Sequence, residues 1–371
     1  MKNKNIFSVK LCCLLCMVLI GLLCVSFQQN DNFKKSSLNL KFQNTRSNNL
    51  TLLKDGIFWN DYAETFVPKG MQQVDSIKFI KKISHQRVVK VINANRSVCG
   101  LGGNAIVKLN DGSTMCVRHQ RTVANTKICA ESFAFYLSRL LGMDNVPEVV
   151  ISNISSPLWK GTDFINLGWR EHDLVAMIRW LHHTSHKVFM PSVIRDAVIS
   201  GKPVNSDVIY NTNTLKSNTS ISELIQWGTM IIFDNLIKHC DRLKKYRIGV
   251  GNRLLNRVAH NTLMSSNGKI WLIDNESAFF HNDPQSYYTS LNRKMLRTLC
   301  IFEKFLVTNL IKLSKHPSAF HHVWKYAITF EPSLVTFEKN INFNLSAISF
   351  NNRLDETIEW INRCKLSSTL K

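Results

Sequence analysis

Two short segments hold residues whose types and spacing suit chemistry. The first is Asn261 to Asp274 (NTLMSSNGKIWLID), where Asn267-Gly268 is the favoured dipeptide of a two-residue type I′ turn. A hairpin closed on that turn pairs Ser266 with Lys269 and Leu263 with Leu272, and it sets Asn261 directly opposite Asp274. A carboxylate and an amide oxygen at the open end of a hairpin suit a hard divalent cation. A plain Asn–Asp hydrogen bond ending the ladder is the alternative. The second segment is His239-Cys240-Asp241-Arg242, at the end of a long apolar helix. An acid there opposes the helix dipole, so Arg242 is either its structural ion-pair partner or a bystander to a catalytic base. Taken together, Asp241 to orient a hydroxyl and Asp274 with Asn261 to hold a metal on nucleotide phosphates make a phosphoryl-transfer set. Asp241 and Asn261 lie too far apart for an ordinary protein kinase, and no H-R-D, D-F-G or G-x-G-x-x-G is present. Cys99-Gly100-Leu101-Gly102-Gly103 offers a glycine stretch that covers phosphates or simply makes a bend.

The elements that must position these residues follow from pattern. Val88–Ile92 is β-branched, and Asn104–Leu109 and Ser113–His119 flank Asp111-Gly112, a hairpin signal. Ile128–Leu141 has helical spacing and ends at Gly142. Leu174–Leu181 reads as a buried strand. Ser220 and Glu223 form a capping-box pattern before a helix ending near His239. Lys294–Leu313 and Asp355–Cys364 are further amphipathic helices. A β-rich half with one helix, then a helical half, predicts a cleft between lobes.

The N-terminus sets the compartment. Leu11–Phe27 is an almost unbroken apolar run after Lys2, Lys4 and Lys10, long enough to span a bilayer with a cytoplasmic N-terminus. Cleavage after Ser26 is the alternative, and both routes deliver the body to the lumen. Residues 1–10 then form a tail, 11–28 a signal-anchor and 29–54 an Asn/Ser-rich stem, followed by 55–181 and 182–371 as the two lobes. Six cysteines lie in the body: Cys99, Cys116, Cys129, Cys240, Cys300 and Cys364. In an oxidising compartment they read as disulfides, and their spacing does not suit zinc. The net charge of +21 is scattered, so a solvated basic surface is expected and nucleic acid is not. Sequons stand at Asn49, Asn95, Asn153, Asn218, Asn275 and Asn344.

FDNLIKHCDR, the hairpin ending LIDNE, and LRTLCIF together resemble the core of the Four-jointed family of Golgi secretory kinases. DGIFWNDYAETFVPKGM from Asp55, VCGLGGNAIVKLNDGSTMCVRH from Val98, AESFAFYLSRLLG from Ala130, IRWL from Ile178 and the block around Cys364 follow in family order. The Golgi casein kinase and the glycosaminoglycan xylose kinase are more distant relatives. The resemblance implies an α+β, atypical two-lobed kinase-like fold behind an N-terminal transmembrane helix. It implies Asp241 as catalytic Asp, and Asp274 and Asn261 as metal ligands with Glu276 as a further acid. Arg118 and Glu131 clamp the nucleotide, with Gly102 and Gly103 beside it. Lys108 is the fallback cation, which hairpin parity puts on the opposite face from Arg118. Cys99–Cys116 and Cys300–Cys364 are the implied disulfides. Cys129 and Cys240 are extra, and either bridge each other or stay free. The region 182–216 matches poorly.

The implied activity is ATP-dependent Ser/Thr phosphorylation of cadherin-type extracellular domains in the Golgi lumen, with Mn²⁺ or Mg²⁺, in planar polarity or growth signalling. The rival readings are a lumenal pseudokinase scaffold, a type II glycosyltransferase (which lacks its D-x-D motif here), and a kinase acting on a glycan hydroxyl. Asn275, inside the D-N-E motif, is expected to be unglycosylated, unlike Asn49, Asn95, Asn153, Asn218 and Asn344.

Overall fold

A computed structural model describes residues 52–369, apart from 96–97, 101–102, 120–125, 163, 212–214, 216, 244–245, 247–254 and 281–286. The expected anchor, the sequon at Asn49, and Gly102 lie outside the described residues. Among the described residues no helix is long and apolar enough to cross a membrane.

Residues 52–371 form one compact unit. It opens with a small hairpin, β1 (Leu53–Lys54) and β2 (Phe58–Trp59), then α1 (Asp61–Glu64) and α2 (Gln73–Ile83). Strands β3 (Val88–Asn93), β4 (Ala105–Leu109) and β5 (Thr114–His119) lead into α3 (Lys127–Leu140), followed by β6 (Val149–Asn153) and β7 (Leu174–Arg179). These five make an antiparallel sheet ordered β3-β4-β5-β7-β6, with α3 packed on β6 and β7. The unbroken apolar run of β7 is explained by burial on both faces. Val175 and Met177 enter a cluster with Val107, Met115, Val117 and Trp159, whereas Ala176 and Ile178 enter the main core. Arg118 takes the parity of Cys116, so it points away from that smaller cluster.

The second half is helical: β8 (Thr184–Ser185), α4 (Ser192–Ser200), α5 (Ser206–Asn211), α6 (Asn218–Ile237), the hairpin β9 (Thr262–Ser265) and β10 (Ile270–Leu272), α7 (Tyr287–Leu296), α8 (Lys304–Ser314), α9 (Ala319–Phe330) and α10 (Phe343–Thr369). The cap of α6 is Ser217, whose hydroxyl accepts from Ser220 N at 3.1 Å, rather than the expected Ser220–Glu223 box. The expected helix 294–313 breaks in two. Cys300 N donates to Val204 O and Phe302 N to Ile57 O, both at 2.8 Å, so Leu299–Phe302 runs extended. All four of those side chains are buried, and a continuous helix would turn part of the run outward.

Both hairpins carry one residue more in the loop than the expected two-residue turn. Leu109 pairs with Ser113 around Asn110-Asp111-Gly112, and Ser265 with Lys269 around Ser266-Asn267-Gly268. Gly112 (φ +83°) and Gly268 (φ +86°) take the left-handed conformation, whereas Asp111 and Asn267 do not, as a type I turn with a glycine bulge requires. The Asp111 and Asn267 side chains accept from the amides two residues on, at 2.9 and 3.2 Å, which stabilises that choice. The slip changes what lies opposite what. Asn261 O accepts from Ile273 N at 3.1 Å, so Asn261 faces Ile273 and not Asp274. Lys108 pairs with Thr114, on the same face as Arg118 but four residues along the strand, about 13 Å away, and it is exposed.

The free edge of β10 is covered rather than open. Ile270 N donates to Gln226 Oε1 at 2.8 Å, Asn145 Nδ2 donates to Ile270 O at 3.1 Å, and Leu272 N donates to Asn145 O at 2.9 Å. Beside it, Glu303 accepts from the Thr229 hydroxyl, and enclosure pushes its carboxyl up to about 7. The neutral form is therefore retained on folding, and the benefit fades as pH rises from about 4.5 through 7. Glu303→Gln is expected to melt with the wild type near pH 4.5 and above it by pH 7.5, followed by circular dichroism. Parallel pH profiles would rule this out.

Candidate active site

Helix α6 ends where Lys238 turns left-handed (φ +56°), and His239 N bonds back to Asp234 O at 3.0 Å. The reversal carries Asp241 beyond the end of the helix. Arg242 does not pair with Asp241, contrary to the structural reading of the sequence. Its Nε lies 2.9 and 3.1 Å from the two oxygens of Asp234, eight residues earlier on α6, and both side chains are fully buried. Its Nη1 donates to Asn261 O and, at 3.1 Å, to Ile273 O, and its Nη2 to Asn275 Oδ1 at 2.7 Å. One guanidinium thus joins α6, the entrance of β9 and the exit of β10. His239 adds a second link. Its Nδ1 accepts from the amides of Asp241 and Arg242, so its Nε2 carries the proton and donates to Asp274 O at 3.0 Å. Burial, helped by the Arg242 charge, holds that imidazole neutral.

The carboxylates sit on this frame. Asp241 Oδ2 lies 2.9 Å from His260 Nδ1 and 3.1 Å from Asn261 Nδ2, and a carboxylate only accepts, so both donate to it. Asn261 (φ +52°) and Asp274 (φ +58°) are left-handed, a costly conformation outside glycine that gathers at functional sites. Arg118 Nη1 lies 2.9 Å from both Asp274 Oδ1 and Glu276 Oε2, and Lys127 lies 3.6 Å from the other Glu276 oxygen. Glu131, at the start of the second turn of α3, is 1% exposed. Its Oε1 accepts from Asn275 at 3.4 Å, while its Oε2 and Arg118 Nε have no partner among the described residues. Desolvation, reinforced by Asp274 and Glu276, pushes the Glu131 carboxyl up to about 7 against the pull of Arg118. Desolvation also raises Asp274.

The structure therefore gathers Asp241, Asn261, Asp274, Glu276, Arg118 and Glu131, with Arg118 on Asp274 and Glu276 rather than on Glu131. Gly100, at φ +78°, passes the Arg118 head closely: a Cβ there would stand 3.9 Å from its Nη2. Gly103 (φ +84°) accepts from Trp169 Nε1 at 2.6 Å. Cys99–Cys116 and Cys300–Cys364 are disulfide-bonded, and Cys129 and Cys240 are free. Asn275 is fully buried, whereas Asn95, Asn218 and Asn344 are exposed and Asn153 is half-buried. The donors around Asp274 are all oxygens, which fits a hard cation. Among the described residues, however, no three His, Cys, Asp or Glu stand ready as a metal set, and Arg118 is paired with two of the acids. Sequence reasoning missed Asp234, His239 and His260. The weak signal for Asp234 was an acid inside an otherwise apolar helix.

The fold is kinase-like. A crystal structure of the Golgi casein kinase is similar at TM-score 0.52 and 11% identity, over 83% of this chain and 82% of that one. The structure of hydra Fam20 with sugar is similar at TM-score 0.52 and 14% identity, over 83% and 97%. The family described as the Four-jointed box protein middle domain matches residues 74–367, and the chain belongs to the Four-jointed box family. Four-jointed box protein 1 of Mus musculus is 24% identical over 71% of this chain, which spans 59% of that relative. The extracellular serine/threonine protein kinase four-jointed of Drosophila melanogaster is 24% identical over 70% of this chain, which spans 52% of it.

His260 touches the acid expected to act on substrate. His260→Ala is expected to lower the phosphate-transfer rate about tenfold, the worth of one hydrogen bond to a charged group, with melting temperature unchanged. An undiminished rate in single-turnover kinetics would remove His260 from the site.

Proposed function

We propose that this protein is an ATP-dependent kinase of the secretory-pathway lumen that phosphorylates Ser/Thr hydroxyls on extracellular, cadherin-type domains. The observation that carries the reading is one buried frame holding Asp241 beside Asn261, and Asp274 beside Glu276 and Arg118. Asp241, fixed by His260 and Asn261, orients the acceptor hydroxyl and takes up its proton. Asp274 and Asn261, with Glu276, would hold Mn²⁺ or Mg²⁺, whose chemistry is to offset the charge on the nucleotide phosphates. Arg118 Nε and Glu131 Oε2 are both buried without partners among the described residues. A shift of Arg118 onto Glu131 would satisfy both atoms and release Asp274 and Glu276, which is the change that nucleotide binding requires. The fixed positive charge of Arg118 then serves the phosphates, and the stretch around Gly100, Gly102 and Gly103 covers them.

Division at residues 55–181 and 182–371 into lobes, type II anchoring by residues 11–28 in the Golgi, release by cleavage after Ser26, and glycans on Asn49, Asn95, Asn153, Asn218 and Asn344 complete the proposal. Asp274→Ala is expected to abolish transfer from ATP to a cadherin repeat, read by mass spectrometry, while secretion stays normal. Unchanged transfer would end the assignment.

A further inference from the structure

Where the end of α6 meets α7 and α10 lies a cavity of about 290 Å³. Phe279 and Phe280, which follow the acidic motif along the chain, and Leu345 and Ile348 of α10 give it apolar walls. Leu345 and Ile348 are exposed, so that side of the cavity is open to solvent. Arg353 of α10 also lines it and is only 5% exposed. Its Nε donates to Leu236 O at 2.9 Å, near the end of α6, and its Nη1 donates to the Ser349 hydroxyl. Its Nη2 bonds to nothing among the described residues yet is not sealed from solvent, which leaves it open to the cavity.

Charge around this guanidinium is unbalanced. Burial, reinforced by Arg293, lowers Arg353 to about 9, and Glu356 opposes the fall only through space. Glu356 is already shared, with Arg293 Nε 2.7 Å from one of its oxygens and Arg297 Nη2 3.9 Å from the other. Arg293 lines the cavity as well, and its side chain is exposed. Three guanidiniums therefore meet one carboxylate. The helix-end carbonyl at Leu236 offsets part of the excess, and no anion within contact among the described residues offsets the rest.

A buried guanidinium with one open nitrogen, a second guanidinium beside it and apolar walls call for a ligand of two parts. The head must carry more than one negative charge and accept from both arginines, which a phosphate dianion does and a single carboxylate does not. The volume lies at the lower end of small-molecule sites, so the body is about the size of one ring. We infer that this cavity binds a small phosphate monoester, its phosphate on Arg353 Nη2 and Arg293 and its apolar body against Phe279, Phe280, Leu345 and Ile348. The site is separate from the acidic cluster, because none of Arg118, Glu131, Asp241, Asn261, Asp274 and Glu276 lines it.

Phenyl phosphate titrated into the full chain by calorimetry is expected to give saturable binding. Phenol, which keeps the ring and lacks the charge, is expected to bind at least about tenfold more weakly, and so is inorganic phosphate, which lacks the ring. Arg293→Gln alters an exposed position. It is expected to melt with the wild type and to weaken phenyl phosphate about tenfold. Arg353→Met, which replaces the unbalanced charge with an apolar chain, is expected to abolish the binding. A non-hydrolysable ATP analogue with Mg²⁺, present throughout, is expected to leave the affinity unchanged. Absence of saturable phenyl phosphate binding overturns the inference. So does binding that Arg293→Gln leaves unweakened, or binding that the analogue displaces.

Discussion

The buried pair between Arg242 and Asp234 is the constraint on which the active-site half of the molecule depends. Burying two charges is costly, and it is tolerated only when the hydrogen-bonding capacity of the guanidinium is used. Arg242 uses it on Asp234, two carbonyls and Asn275, and those groups belong to three segments far apart in sequence. The same contacts fix the entrance of β9 at Asn261 and the exit of β10 at Ile273. The neutral His239 ring then ties Asp274 to the loop that carries Asp241. The loop that carries Asp241 and the acidic motif are one hydrogen-bonded object.

Electrostatics explains why that object is poised. Glu131, Asp274 and Glu276 crowd together in a poorly solvated place, and burial, reinforced by their mutual repulsion, raises the Glu131 and Asp274 carboxyls from their ordinary values. Arg118 relieves part of this by bridging Asp274 and Glu276. It does so at the expense of Glu131 Oε2 and of its own Nε, both left without partners among the described residues. A bound divalent ion and a nucleotide would remove that frustration, which links the polar imbalance of the site to its proposed chemistry.

Much of this was legible in the sequence. The apolar periodicities gave the sheet and α6, and the family blocks pointed to Asp241, Asn261, Asp274, Glu276, Arg118 and Glu131 and to both disulfides. What was not legible lay in side-chain choices that periodicity does not record. Asp111 and Asn267 bond the amides two residues on, so both hairpins take the longer loop and shift register by one residue. That shift moved Asn261 away from its expected place opposite Asp274 and brought Lys108 onto the face of Arg118. The helix expected over 294–313 failed because the run at Leu299–Phe302 is buried all round, and its backbone finds partners at Ile57 and Val204. Sequence adjacency offered Asp241 as one partner for Arg242, whereas the acid that neutralises it lies eight residues back, near the end of α6.

The central claim is that Arg242 assembles the site, and Arg242→Leu tests it most directly, with denaturant unfolding and ATP phosphate transfer measured on the same preparation. The account predicts a loss of roughly 3–5 kcal/mol of stability, since Asp234 is left buried and uncompensated, together with loss of transfer. A variant as stable and as active as the wild type would contradict it.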